Sequence, residues 1–63
     1  MQITIRAARV NARISQADAA KKVGITQPTL CKIEKPNGIY HTKFEILVKL
    51  LELYGVSLDD IRG

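Results

Sequence analysis

Between residues 15 and 34 the chain reads S-Q-A-D-A-A-K-K-V-G-I-T-Q-P-T-L-C-K-I-E, and its punctuation leaves few folds open. Ser15 is a strong helix N-cap, and Asp18 three residues on suits the positive end of a helix dipole. Gly24 suits a left-handed C-cap, so a helix is expected from Gln16 to about Val23. Thr26 can cap a second helix, with Pro28 in its first turn, where a missing amide hydrogen costs little. Pro36-Asn37-Gly38 is a strong turn signal and should end that helix near Lys35. Two short helices therefore meet across a turn of about three residues. Small Ala19 and Ala20 let them approach closely, and apolar Ile25 can plug the corner between them.

The rest of the chain is read as helical around this corner. Thr4 can cap a helix from Ile5 to about Ala12, with Ile5, Ala8 and Ala12 on one face, and Asn11 to Ile14 form a short connection. After the turn at Pro36 a loop is expected to run to His41. Thr42 and Glu45 then form a T-x-x-E capping box for another helix. That helix carries Phe44, Leu47, Val48, Leu50, Leu51 and Tyr54, ends at Gly55, and is too apolar to be anything but the central core element. Ser57 can cap a last turn from Leu58 to Ile61. Met1 to Ile5 is mildly extended in pattern, but no partner strand is visible. The fold class expected is all-α: a compact bundle of about five short helices, forming one domain over residues 1–63.

Composition narrows the function. A domain of about this length buries only about 60% of its unfolded surface, and with three aromatic residues the core must be aliphatic. Cys31 is the single cysteine, which excludes an internal disulfide and a multi-cysteine zinc site and fits a reducing cytoplasm. No signal peptide is expected, and no apolar run approaches the ~18 residues of a membrane span, so no membrane partner is expected either. His41 is a lone imidazole, so no metal is expected, and no cofactor motif occurs. No nucleophile, base and orienting group can be assembled, and no phosphate-binding glycine loop is present, so an enzyme is not expected. Charge is uneven: residues 1–43 hold eight basic against two acidic side chains, residues 44–63 two against four. A basic N-terminal two-thirds suits a polyanion, although a solvated charged face would look the same.

The ordered set of Arg9, Ser15-Gln16, Gly24-Ile25-Thr26, Ile33-Glu34 and Tyr54-Gly55-Val56-Ser57-Leu58-Asp59 resembles the phage repressor/Cro-type helix-turn-helix family, from about Ile5 to Ile61. Ala8 and Ala19 stand where larger aliphatics are usual there. Lys35 to His41 is about two residues longer than the common loop, with Pro36 at a frequent glycine position. The resemblance implies a cytoplasmic, nucleoid-associated bacterial regulator that binds a double-stranded DNA operator, with a recognition helix over about Gln27–Glu34 in the major groove. A repressor of a phage or mobile-element operon is the first reading. An antitoxin that represses its own operon is a second, and a helical protein–protein adaptor without DNA binding is a third from another class. A protein antagonist or toxin partner is left open.

Side-chain chemistry agrees with the roles the resemblance implies. The Gln27 amide can pair with adenine, Lys32 can reach guanine acceptors or phosphate, and Thr29 and Pro28 can meet thymine methyl groups. Gln16 and Thr26 stand at helix starts and can face phosphates, with Lys35, Asn37, Tyr40, His41 and Lys43 tracking the DNA backbone beyond. A solvent-exposed helix face, helix capping alone for Gln16 and Thr26, and a solvated loop are the plain alternatives for these residues. The family pattern pairs Arg9 with Glu34 as a partly buried salt bridge. It also implies a homodimer, at least on DNA, for which Leu53, Val56, Leu58 and Ile61 offer an apolar contact if they do not simply close the core.

Overall fold

The computed structural model describes residues 2–62, so Met1 and Gly63, at the ends of the expected domain, lie outside the described residues. The chain runs β1 (Ile3–Thr4), α1 (Ile5–Asn11), α2 (Gln16–Val23), α3 (Gln27–Ile33), a 3-10 turn (Gly38–His41), α4 (Phe44–Tyr54), a second 3-10 turn (Leu58–Asp60) and β2 (Ile61–Arg62). The all-α bundle expected from the sequence is present, with four α-helices and two 3-10 turns among the described residues.

Local capping sets most of the boundaries. The hydroxyl of Thr4 accepts from the Ala7 amide at 3.1 Å, that of Ser15 from Asp18 at 3.1 Å, and that of Thr26 from Thr29 at 3.3 Å. Each satisfies an amide that the first helical turn leaves without a carbonyl. Gly24 ends α2 at φ 80°, a left-handed conformation that an L side chain adopts only with strain. Its reversal lets the Ile25 amide donate to the Ala20 carbonyl at 2.9 Å and turns half-buried Ile25 onto the core.

Two expectations near α4 need correction. The T-x-x-E capping box does not form. Thr42 donates its hydroxyl to the Gly38 carbonyl at 2.9 Å, and the helix starts one residue later than the box requires, with Lys43 in the capping position and no side-chain cap. Phe44 is not a core residue: it sits at the first position of α4 and is 67% exposed. The core face of that helix is Leu47, Leu50, Leu51 and Tyr54 instead.

The extended N-terminal pattern also has a partner after all. Ile3 and Thr4 pair in parallel with Ile61 and Arg62, in the register Ile3 to Ile61 and Thr4 to Arg62. Two-residue strands carry too weak a local signal to be read from sequence, and these are brought together only by the folded helices. The pairing ties the ends of the chain beside α1. Ile61 is thereby buried in a core made with Ile5, Ala8, Ala19, Ala20, Val23, Leu30, Ile33 and the α4 residues. Ala8 and Ala19 are fully enclosed, so their small size serves close helix approach.

Candidate nucleic-acid interface

Helix α3 is amphipathic in a simple way. Leu30 and Ile33 are buried, while Gln27, Pro28, Thr29, Cys31 and Lys32 are exposed. Its inner side rests on α2 and the core, so its outer side is held at a definite angle. Pro28 occupies the first turn as expected. The hydroxyls of Thr26 and Thr29 lie 2.8 Å apart, and this bond orients both side chains at the start of the helix.

A chain of polar contacts fixes α3 against α1 and α2. Arg9 Nε donates to Glu34 Oε2 at 2.6 Å, and a second guanidinium nitrogen reaches Oε1 at 3.3 Å. The two side chains are 12% and 4% exposed, so the bridge is largely shielded from water. The third guanidinium nitrogen donates to the Ile14 carbonyl at 2.9 Å and so also holds the connection before α2. The hydrogen bond to Glu34 keeps the Arg9 guanidinium above its ordinary pKa, against the opposing pull of burial. Glu34 also accepts from Gln16 Nε2 at 3.0 Å, and Gln27 Nε2 donates to Gln16 Oε1 at 3.3 Å.

The family resemblance implied the pairing of Arg9 with Glu34, but the continuation through Gln16 to Gln27 was missed. The residues lie far apart in sequence and meet only because α2 and α3 cross. As a result the amide of Gln27, the candidate base reader, is oriented by one exposed hydrogen bond to Gln16 before any ligand arrives. Such preorganisation lowers the entropic cost of binding.

Tyr54 lies under this network. Burial, then the charge of Glu34, pushes its phenol up to about 12, with Arg9 pulling the other way. Its buried hydroxyl has no hydrogen-bond partner among the described residues.

Beyond α3 the chain behaves differently. Lys35, Pro36 and Asn37 are exposed, and Asn37 takes a left-handed φ of 62°. Gly38 then packs against the end of α3 so closely that a β-carbon there would overlap the carbonyl oxygens of Lys32 and Ile33. The expected loop is in fact a 3-10 turn over Gly38–His41. It leaves Tyr40 69% exposed, with His41 and Lys43 also on the surface. The need for glycine at 38 was not read from sequence, where Pro-Asn-Gly signals a turn but not what the turn packs against.

The four residues expected at a two-fold contact are divided. Leu58 is 49% exposed and Leu53 and Val56 are half-buried, whereas Ile61 lies inside the core and closes it. Cys31 is free and exposed. Among the described residues no cluster of His, Cys, Asp or Glu gathers to hold a metal, and no helix is long and apolar enough to cross a membrane.

Comparison with known proteins points the same way as the geometry. A family model described as helix-turn-helix matches residues 5–61. An uncharacterized HTH-type transcriptional regulator of Methanocaldococcus jannaschii is 35% identical over 48 residues, covering 76% of this chain and 70% of that protein. No solved structure matches the chain.

Proposed function

The chain belongs to the helix-turn-helix family of the phage repressor/Cro type, and we propose on that premise that it regulates transcription as a sequence-specific repressor. The observation that carries the reading is the exposed, preorganised face of α3, with Gln27, Thr29 and Lys32 outward and Gln27 bonded to Gln16. In this reading α3 enters the major groove, Gln27 pairs with an adenine edge, Lys32 takes a guanine or phosphate, and Thr29 and Pro28 meet thymine methyl groups. Gln16, Thr26, Lys35, Asn37, Tyr40, His41 and Lys43 follow the phosphate backbone on either side.

A helix of this length reads only a few base pairs, so a second copy is needed for useful specificity. Two copies on one duplex place their recognition helices about 34 Å apart, one turn of DNA. Leu58, with Leu53 and Val56 beside it, is the apolar contact proposed for the two-fold. Ile61 takes no part because it is buried. The simplest control such a unit exerts is occlusion of the site it covers, in the operon of a phage or mobile element.

The test is binding to a random duplex across a salt series. A chain that neutralises phosphates with Lys32, Lys35 and Lys43 should show a slope of log affinity against log salt of about −3 per copy. A slope near zero would remove the DNA-binding reading and leave a protein adaptor.

A further inference from the structure

A groove of about 450 Å³ opens beside the recognition face, between the end of α3, the 3-10 turn and the first turn of α4. That volume lies within the range of pockets that hold small organic molecules, about 300–1,000 Å³. Ile33, Pro36 and Ile46 supply its apolar surface, while Lys32, Lys43 and His41 stand among its walls. No acidic side chain lines it. At the adjoining helix start Lys43 occupies the N-cap of α4 without a side-chain cap, and Glu45 already supplies a negative charge in the first turn, so the positive groups open to a ligand are the two lysines.

We propose that this groove binds an apolar organic anion, with its hydrocarbon or aryl body against Ile33, Pro36 and Ile46 and its acid group toward Lys32 and Lys43. The lysines alone suit any anion, and the floor narrows the class to anions with an apolar body. The acid group pairs with the two lysines, and the body covers Ile46, which is only half-buried. Lys32 and Lys43 are also assigned to DNA in the function proposed above. On that reading the anion and the duplex compete, and the groove is an effector site.

Titrating the full chain with naphthalene-2-carboxylate, followed by amide proton–nitrogen NMR, tests the site without DNA. Saturable shifts should concentrate at Lys32, Gly38, Thr42, Lys43 and Ile46, and the neutral naphthalene-2-carboxamide should bind roughly tenfold more weakly. Pro36→Asp, at an exposed position outside the core, should weaken the carboxylate by a similar factor while leaving the remaining spectrum unchanged. Lys43→Gln should weaken the carboxylate more than the carboxamide. No saturable shift, shifts scattered over the surface, or equal binding of the two compounds would overturn the site, whatever the outcome with DNA. In a chain shown to bind duplex DNA, saturating carboxylate should weaken that binding at least about threefold, since the two ligands share Lys32 and Lys43. Undiminished duplex affinity would overturn the competition.

Discussion

Helix α3 is held from two sides by different means. On the side of α1 and α2 a chain of charged and polar side chains runs from Arg9 through Glu34 and Gln16 to Gln27. On the side of the 3-10 turn the hold is steric: Gly38 lies against the carbonyls of Lys32 and Ile33, and Thr42 ties back to the Gly38 carbonyl. The first kind of contact depends on which atoms the side chains carry. The second depends on an atom that is missing. The polar side sets the angle at which Gln27 is presented, and the steric side sets where the chain goes once α3 has ended.

Breaking the polar side should have the largest effect. Arg9→Ala leaves Glu34 without its shielded partner and frees the Ile14 carbonyl, at a cost of about 3 kcal/mol. For a domain of this size the melting temperature should fall by roughly 12–24 °C. Calorimetry of the two proteins measures this, and an unchanged melting temperature would mean the bridge contributes nothing to stability.

Breaking the steric side should come next. Gly38→Ala forces a methyl group into two backbone carbonyls that cannot move without unwinding the end of α3. A loss of about 2 kcal/mol is expected in chemical denaturation. Gly38→Ala should also shift the amide resonances of Lys32 to Thr42 while sparing Gln16 and Gln27. If it instead disturbed Gln27, the two sides would not be separable.

A smaller effect sharpens the polar side. Gln16→Ala removes the link between Glu34 and Gln27 but leaves the Arg9 bridge in place, at a cost of about 1 kcal/mol. Its more telling signature is in motion, since Gln27 should gain side-chain mobility, read from the relaxation of its amide group.

Tyr54→Phe should have the least effect near neutral pH. It removes a buried hydroxyl that has no partner among the described residues, so stability should change by less than about 0.5 kcal/mol or rise. The variant should differ in alkali. The folded-state value for Tyr54 is raised from 10.0 to about 12, so the folded protein holds this proton more tightly than the unfolded chain. Its contribution is intact below pH 10 and is lost as pH climbs toward 12. Denaturation midpoints across that window should fall more steeply for the parent than for Tyr54→Phe.

What could be read in the sequence follows the same division. The caps at Thr4, Ser15, Thr26 and Gly24 were legible because each acts within a few residues of itself. The Arg9 to Glu34 pairing was legible only through family resemblance, since nothing in the spacing alone brings residues 9 and 34 together. Thr42 was misread because its hydroxyl had two local uses, capping α4 or bonding back to Gly38, and the close approach of Gly38 to α3 selects the second. Phe44 was misread because apolar character was taken as burial, whereas the first position of α4 faces outward. The Ile3 to Ile61 pairing joins residues 58 positions apart, and the mildly extended pattern near Ile3 gives no local sign of its partner.

In the proposed function Gln27 reads a base from a position oriented by Gln16. Selection of bound sequences from random duplex DNA, run in parallel with the parent chain and Gln27→Ala, tests it directly. The parent should enrich a site with two related halves about one helical turn apart. Gln27→Ala should lose preference at one base position of each half, by about 1–3 kcal/mol, and keep the rest of the site. An unchanged site, or equal weakening on every sequence, would contradict base reading by Gln27 and assign it to the phosphate backbone or to no contact.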